Sequence, residues 1–496
     1  MGGGRHVTLA FAVVAAATGA LVATAILLAL VVAFRAQMGL WLLQRLVGRL
    51  LRFITNKAYP DNLFGALNLS RHLGLQNLVE TMMRANQGTV FRRPWGSPRG
   101  ISPWEQLMFQ PVYLRPRLPT PNDVQIATGV TIGPLAERPL QLKIPILIAG
   151  MAFGGAITTE VKVAWAKGAN LAGTAINSGE TYLPAERAAA ERLIVQYSRG
   201  LWSHSTMNDP SPLGKADAIE VQLGQGAEAS APIATAPQFV SGRMRSVLGL
   251  DPGEAEKVSS RLRKVDTPRD FVRLVRDLKA RYPVPVGVKV GAGDHLELDL
   301  DVFLEAGVDF VTVDGADGGS HGSPTTISDD VGLPTLHAVC RADRYLRACG
   351  LRDRVTLIAA GQLTTPGRCL KALALGADVA GVGTAPAIAL FADQAARMPV
   401  LHPGRPAWTW QLDPDLAAQK VANYLASCMQ DIEYVVRVLG KTSVAAVGRE
   451  DLVALSRDVA EIAGVRLAWE RPVADMLKDI VYAVDETMPA REERIH

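Results

Sequence analysis

Cysteine is scarce in this chain, and the spacing of the four cysteines matches no metal-binding motif. The 496 residues contain Cys340, Cys349, Cys369 and Cys428, and no two of them form a C-x-x-C pair. This spacing argues against a zinc ribbon or a disulfide framework and favours ordinary thiols in a reducing compartment. The formal net charge is only +4, too small over this length to indicate nucleic-acid binding.

Charge is absent from residues 7–34, which read VTLAFAVVAAATGALVATAILLALVVAF. At about 1.5 Å per residue this run is long enough for a hydrocarbon core of about 30 Å. A cleaved signal peptide is the alternative, but its apolar region is usually shorter and a cleavage site, not a basic segment, follows it. The sequence therefore predicts one transmembrane helix over residues 7–34.

Basic residues follow this run without acidic ones until Asp61, and they are Arg35, Arg45, Arg49, Arg52 and Lys57. The positive-inside bias predicts a single-pass protein of the cytoplasmic membrane with the remaining chain in the cytoplasm. Residues 40–53 (LWLLQRLVGRLLRF) predict an amphipathic basic helix, which could lie on the membrane surface or pack on the soluble part.

The composition, 48% hydrophobic and 20% charged, is typical of a globular protein with a large core. We predict a basic juxtamembrane and lead-in segment over residues 35–140. In residues 141–412, short apolar runs alternate with stretches of helical pattern. Eight apolar runs are found, at 144–149, 170–175, 193–197, 218–222, 284–290, 309–313, 355–360 and 379–382. Their continuous hydrophobicity indicates parallel strands buried on both faces.

Eight strands in βα alternation predict an α/β fold, specifically a (β/α)8 or TIM barrel. A doubly wound sheet is less consistent, because no G-x-G-x-x-G follows the first strand. Helices are predicted at 268–281, 366–375 and 416–439, and residues 413–496 predict a helical C-terminal extension.

The active site of such a barrel lies at the carboxyl ends of its strands. Glycine-rich turns after the last two strands fit a phosphate-binding role, although glycine could serve there only to permit tight turns. The candidate phosphate ligands are Gly361, Gln362, Gly381, Gly383 and Thr384. Lys289, inside the apolar run VGVKVGAG, is a candidate functional cation, with a salt-bridged structural lysine as the alternative.

Several segments then resemble, in order, the FMN-binding domain of glutamate synthase over roughly residues 111–462. They are MAFGG (151–155), NSGETYLPAER (177–187), LIVQY (193–197), ADAIEVQLGQGAE (216–228), VGVKV (286–290), DGADGGSHGSP (314–324), GLPTLHAV (332–339) and KALALGADVAGVGTAPAIAL (371–390). The set is specific, although no single segment is.

The resemblance implies an FMN-dependent oxidoreductase related to an enzyme that reduces a 2-oxoglutarate-derived imine to glutamate. It implies cofactor binding by Met151, Ala152, Gln196, Lys289, Asp317, Gly318 and Gly319, in addition to the phosphate ligands above. The resemblance places Glu180 against the substrate. The candidate catalytic residues are Glu180, Lys289 and His321, and the candidate substrate residues are Glu180, Gln222 and Glu228. Asp314, Asp317 and His321 could ligate a metal, but such a glycine-rich set is more typical of a loop around a ligand, so no metal is predicted.

The chain also departs from the family pattern. The predicted membrane helix lies where the family has a glutaminase domain, so we expect this chain to generate no ammonia itself. We also expect no glycine-repeat domain of the kind that the family has at its C-terminus. Residues 391–410 (FADQAARMPVLHPGRPAWTW) lack the cysteines of the family's three-iron cluster, so we expect no iron–sulfur cluster. Electrons would then come from a ferredoxin-like protein, a pyridine nucleotide or a membrane quinol.

The substrate side differs as well, because Gln222 and Glu228 stand where the family has lysines. Ser320-His321-Gly322 also replaces a GTG sequence. Three hypotheses follow: an FMN oxidoreductase acting on a C–N or related bond of a small, less acidic substrate; a glutamate synthase using ammonia from a separate subunit; and a non-catalytic flavin sensor. A homo-oligomer remains open, and no nucleic-acid partner is expected.

Overall fold

The computed structural model describes residues 74–87, 92–93, 96–114, 116–154, 157–320, 322–392, 394 and 412–470, with short pieces at 23–24, 34–35, 38–39 and 41–49. The transmembrane helix predicted over residues 7–34 lies almost entirely outside these ranges. No helix within them combines the length and the apolar character that a bilayer crossing requires.

The chain divides into two compact units, residues 1–91 and 92–496. In the first unit, α1 spans Leu75–Gln87. Residues 41–49 are also helical, which confirms a helix in the predicted basic segment, and the Arg45 guanidinium lies 4.4 Å from the centre of the Trp41 ring.

The second unit contains a closed barrel of eight parallel strands. The barrel strands are β5 Ile146–Ile148, β6 Ile176–Asn177, β7 Leu193–Tyr197, β8 Ala218–Gln222, β11 Val286–Gly291, β12 Phe310–Asp314, β14 Thr356–Ala360 and β15 Val379–Val382. Each strand pairs with its neighbours in chain order, and β15 closes on β5 with Val382 opposite Ile148. The predicted (β/α)8 fold is confirmed.

Helices surround the barrel and follow its strands. They are α2 Thr159–Ala172, α3 Pro184–Ala189, α4 Gly242–Leu248, α5 Pro268–Arg281, α6 Leu296–Ala306, α7 Thr325–Asp330, α8 Thr335–Ala348, α9 Pro366–Ala374, α10 Thr384–Ala389, α11 Pro414–Val438 and α12 Arg457–Ala463. Short 3-10 helices lie at Trp104–Gln106, Ser211–Lys215, Gly226–Glu228, Pro237–Phe239, Val444–Ala446 and Arg449–Asp451.

The predicted helix bounds hold where capping residues mark them. Helix α5 has the predicted bounds, because Thr267 and Asp270 form a capping box and Pro268 occupies the first turn. Helix α9 begins as predicted at Pro366 after the Thr365 cap. The second strand was predicted wrongly at 170–175: residues 170–172 end α2, Gly173 terminates it with φ +70°, and the strand follows at Ile176–Asn177.

A hairpin closes the amino-terminal end of the barrel. Its strands are β3 Val130–Ile132 and β4 Leu140–Leu142, which pair antiparallel. Ile132 and Leu142 pack in one buried cluster with barrel residues that include Phe310. A Cβ on Gly287 would lie 2.4 Å from the Phe310 ring, so glycine at this position leaves space for that ring in the buried cluster.

The C-terminal extension is helical only in part, which corrects the sequence prediction. After α11, strand β16 Leu452–Ala454 pairs antiparallel with β2 Leu107–Phe109 and parallel with β17 Arg466–Leu467. The lead-in segment and the extension thus share one sheet. The remaining strands are β1 Arg92–Arg93, paired with β13 Ser323–Pro324, and β9 Ile233–Thr235, paired with β10 Glu256–Val258.

A buried carboxylate ties the extension to the barrel. Asp343 of α8 is fully buried and accepts bonds from Arg347 (2.9 Å), Arg352 (2.9 Å) and Arg449 (2.6 Å). Burial alone would raise the pKa of Asp343, but bonds from these arginines outweigh it and lower the pKa.

We expect Asp343→Ala to reduce the free energy of unfolding by roughly 3–5 kcal/mol, because it leaves partly buried guanidinium groups without their acceptor. Urea unfolding followed by tryptophan fluorescence measures the change. Asp415→Ala removes the partner of Lys167 in an exposed pair and should cost less than about 1 kcal/mol. Equal losses in the two variants would contradict a structural role for the Asp343 cluster.

Candidate active site

A cavity of about 520 Å³ opens at the carboxyl ends of the barrel strands, within the usual range of small-molecule sites. Most of the residues singled out in the sequence line it. They are Met151, Ala152, Glu180, Gln196, Glu228, Lys289, Gly318, Gly319, Gly361, Gln362, Gly381, Gly383 and Thr384. Residues from all eight strand ends and the loops after them therefore meet in one place.

Three other residues from that set are placed differently. Asp317 is buried away from the cavity wall, where its carboxylate accepts bonds from Ser102 and from the backbone N–H of Thr335. Gln222 lies behind the wall and donates from Nε2 to Glu180 Oε1 (2.8 Å). His321 falls outside the described residues.

The barrel interior is polar just below the cavity. Glu220 is buried and accepts from Asn177 Nδ2 (2.7 Å), Gln196 Nε2 (2.8 Å) and Thr312 Oγ1 (2.6 Å). These bonds fix the amide of Gln196, whose Oε1 is buried without a donor. Glu220 was not predicted to have this role, although a carboxylate inside an apolar strand is a sequence feature that could have indicated it.

Lys289 is held in its charged form. Its Nζ lies 2.9 Å from Asp314 Oδ2, and the side chain is 5% exposed. Burial lowers the pKa of this lysine, but the carboxylates of Asp314, Glu220 and Glu180 outweigh that effect and raise the pKa above its usual value. The structure therefore keeps a buried positive charge on the cavity wall.

Glu180 is a buried carboxyl group on the cavity wall with a raised pKa. Burial raises its pKa to about 7, with a further contribution from Glu228 and Glu256, while the Gln222 hydrogen bond and Arg199 oppose the shift. A carboxyl group that titrates near neutral pH can act as a general acid or base. Neither Arg199 nor Glu256 was identified from the sequence.

A buried lysine holds the loop that carries Glu180. Lys162 of α2 donates from Nζ to the carbonyl oxygens of Ser178 and Thr181, the latter at 3.3 Å, and pairs with Glu186 (3.1 Å). Both charged groups are fully buried, so burial lowers the pKa of Lys162 and raises that of Glu186 to about 7. Lys162 is thus a positioning residue that sequence reasoning missed.

The loops after β14 and β15 line the cavity and contain glycines, which have no side chain. Gly361 has φ +118°, and a Cβ there would meet Thr335 Oγ1 at 2.2 Å. Gln362 has φ +49°, which is unusual for a residue with a side chain, and its carbonyl accepts from Thr364 N (2.8 Å) and Arg368 Nη1 (3.2 Å). Such strained turns are typical of ligand-binding loops.

A long excursion after β8 covers one side of the cavity. Its hairpin β9–β10 contributes Ile233, Glu256 and Val258 to the wall. Ile233 and Val258 belong to an apolar cluster with Phe153, which also faces the cavity. This side of the cavity is therefore apolar except for the carboxyl group of Glu256.

Comparison with known families gives one match that covers more than half of the chain. Residues 121–442 match the family model described as the conserved region in glutamate synthase.

Individual relatives agree with this match. A glutamate synthase large subunit-like protein of Rhizobium meliloti is 31% identical over 79% of this chain and 93% of its own length. The archaeal glutamate synthase [NADPH] of Methanocaldococcus jannaschii is 29% identical over 67% of this chain and 66% of its own length. The glutamate synthase large subunit-like protein YerD of Bacillus subtilis is 27% identical over 71% of this chain and 69% of its own length.

Among solved structures, mandelate oxidase with benzoyl-formic acid matches at a TM-score of 0.47 and 15% identity, over 71% of this chain and 90% of that one. This likeness is too weak to support an argument about function.

The raised pKa of Glu180 makes the stability of the protein depend on pH. Between the ordinary value of 4.5 and about 7 the folded protein binds more protons than the unfolded chain, so stability falls as pH rises through this window. Glu180→Gln removes the titrating group. The free energy of unfolding of this variant, relative to that of the wild type, should therefore rise by roughly 2–3 kcal/mol between pH 5 and pH 8. Urea unfolding at both pH values measures the difference.

The exposed Glu461 of α12 offers a matched control, since Glu461→Gln should follow the wild type at both pH values. A Glu180→Gln variant whose stability difference from the wild type does not change with pH would show that Glu180 ionises normally.

Proposed function

Because this chain belongs to the glutamate synthase family, we propose that it is an FMN-dependent oxidoreductase that acts on a carbon–nitrogen or related bond. The observation that carries the proposal is the cavity itself, where a buried ammonium group and two glycine-rich loops meet at the carboxyl end of a (β/α)8 barrel. Phosphate in this fold is frequently held by the loops after the last two strands.

The residues present fit FMN in size, charge and hydrogen bonding. Gly361, Gly383 and Thr384, which line the cavity in the two loops, would hold the phosphate. Gln196 Oε1 lacks a donor, and a ring N–H would supply one. Lys289 would stabilise negative charge on the reduced ring.

When bound, FMN would supply hydride transfer through its N5 atom. Glu180 would hold or release the proton that accompanies this transfer, since its pKa of about 7 suits either role. Gln222 orients the Glu180 carboxyl through a 2.8 Å bond, and Lys162 fixes the backbone on both sides of it. His321 is the second candidate for proton transfer. Electrons would come from a ferredoxin-like protein, a pyridine nucleotide or a quinol.

A second candidate function is synthesis of glutamate from 2-oxoglutarate and ammonia that another subunit provides. The similarity to the archaeal glutamate synthase [NADPH] of Methanocaldococcus jannaschii favours it. An assay with 2-oxoglutarate, ammonia and a reduced donor tests it, and the absence of glutamate above background would remove it.

We expect the detergent-extracted protein to show a flavin absorption spectrum and to release FMN on denaturation. Lys289→Met should keep the flavin but lower its midpoint potential by roughly 30–60 mV, or one to two powers of ten in the two-electron equilibrium, because the reduced anionic ring loses its countercharge. Lys167→Met, at an exposed pair, should leave the potential unchanged. A colourless protein that rebinds no FMN would refute the proposed function.

We further propose that residues 7–34 anchor the protein in the cytoplasmic membrane with the barrel in the cytoplasm. The full chain should then stay with membranes through high-salt and alkaline-carbonate washes, whereas a variant that lacks residues 1–34 should be released. Release of the full chain by high salt alone would contradict a membrane-spanning anchor and indicate peripheral attachment.

A further inference from the structure

The segment 96–105 precedes the barrel in the chain, yet it contacts two of the loops that line the cavity. It follows strand β1 and ends within the 3-10 helix at Trp104–Gln106. Ser97 and Ser102 of this segment are buried, at 4% and 3% exposed. Connecting chain that is buried must find hydrogen-bond partners for its polar groups. The partners here belong to the loops after β12 and β14.

Ser102 supports the loop after β12 through Asp317. Its hydroxyl group donates to Asp317 Oδ2 (2.6 Å), and its backbone N–H donates to Asp317 Oδ1 (3.2 Å). The hydroxyl oxygen of Ser102 also accepts from Leu336 N (3.3 Å), and Asp317 Oδ2 accepts from Thr335 N (2.6 Å). The buried carboxylate is thus held by Ser102 and by the first turn of α8. Residues 318–319, which follow this carboxylate directly, line the cavity.

Gly96 packs on the same loop through its backbone. It has φ +77°, and a Cβ at this position would lie 2.3 Å from the carbonyl oxygen of Gly318. Gly318 is itself confined, because a Cβ on it would lie 2.8 Å from Oδ1 of Asp314, the residue whose carboxylate pairs with Lys289. The loop is therefore in close contact with both the segment 96–105 and the Asp314 carboxylate.

The same segment contacts the loop after β14, where the phosphate of the proposed cofactor would bind. Gln362 Nε2 donates to the Ser97 carbonyl oxygen (3.4 Å). Arg368 of α9 donates to the Gln362 carbonyl oxygen (3.2 Å) and pairs with Glu105 at the end of the segment. Gln362 has a strained backbone, with φ +49°, and such a conformation persists only where its surroundings fix it. The segment supplies part of these surroundings.

We propose that the segment 96–105 completes the cofactor site by positioning the loops after β12 and β14. Ser102 acts through Asp317 and Gly96 acts through Gly318, and neither Ser102 nor Gly96 lines the cavity itself. Both are therefore positioning residues. The inference rests on the proposed function, because it takes the two loops as part of the binding site of FMN.

Alanine substitutions of three glycines separate the loop contact from backbone strain. Gly96→Ala places a methyl group against the Gly318 carbonyl oxygen and should weaken FMN binding about tenfold or more. Gly307→Ala introduces the same residue at a similar backbone angle, φ +79°, and Gly100→Ala introduces it within the same segment. A Cβ at either control position meets no atom within 4 Å, so both variants should bind FMN as the wild type does.

Fluorescence titration of FMN into the full-length, detergent-extracted protein freed of flavin measures these dissociation constants. Wild-type affinity in Gly96→Ala, or an equal loss in Gly96→Ala and Gly307→Ala, would contradict the inference.

Ser102→Ala is the milder variant, because it removes one hydroxyl group and adds no atom. FMN binding should weaken by about tenfold to a hundredfold, the range for loss of one hydrogen bond to a charged group. Ser456→Ala is the matched control, since the Ser456 hydroxyl also accepts from a helix N-terminal N–H, that of Val459, and Ser456 does not line the cavity. This control should keep wild-type affinity, and unchanged affinity in Ser102→Ala would overturn the inference.

Hydrogen exchange without FMN distinguishes this inference from the proposed function. The Gly318 N–H donates to the Gly315 carbonyl oxygen (2.8 Å), so its exchange reports whether the loop after β12 is held in place. We expect exchange in residues 315–320 to be at least tenfold faster in Ser102→Ala than in the wild type, and unchanged in Ser456→Ala.

The two proposals fail in different ways. This exchange difference in a protein that never binds FMN would refute the flavin and leave the positioning of the loop standing. A protein that binds FMN, with neither affinity nor exchange altered in Ser102→Ala, would refute the positioning and leave the proposed function standing.

Discussion

Closure of eight parallel strands into a barrel is the constraint on which the rest of this structure depends. In a closed sheet every strand has two partners, so the register of each pair is fixed all the way round, from Val382 opposite Ile148 to Lys289 opposite Gln222. Side chains then alternate between the interior and the helices. One register thus decides which residues meet inside the barrel and which emerge at its carboxyl end.

The consequence is a change in chemistry along the barrel axis. On β8 the alternation places Ala218 in the buried apolar cluster next to the β3–β4 hairpin, and Glu220 in the polar layer above that cluster. On β12 it places Phe310 in the same cluster and Thr312 in the same polar layer. The buried Glu220 carboxylate is tolerated because three donors surround it. A charge held by three donors positions the side chains that donate to it, here Asn177, Gln196 and Thr312.

The groups on the cavity wall are different, because their hydrogen-bonding capacity is incompletely used. Gln196 on the wall and Gln222 behind it each have a buried acceptor without a donor, and Glu180 shares its surroundings with other carboxyl groups. The glycine-rich loops and Lys289 line the cavity on the proposed cofactor side.

The sequence by itself determined the barrel, most of its strands and the helices that capping residues delimit, because these depend on local periodicity and on residues such as Thr267 and Pro268. It failed at 170–175, where small apolar residues suit the end of a helix and a strand equally well, and the αL turn at Gly173 decides between them. Tertiary structure alone decided that β2 and β16 share a sheet, that Lys162 holds the Glu180 loop, and that Glu256 reaches the cavity. These arrangements join segments far apart in the chain, and the pairing of distant side chains leaves no mark in the local pattern of either segment.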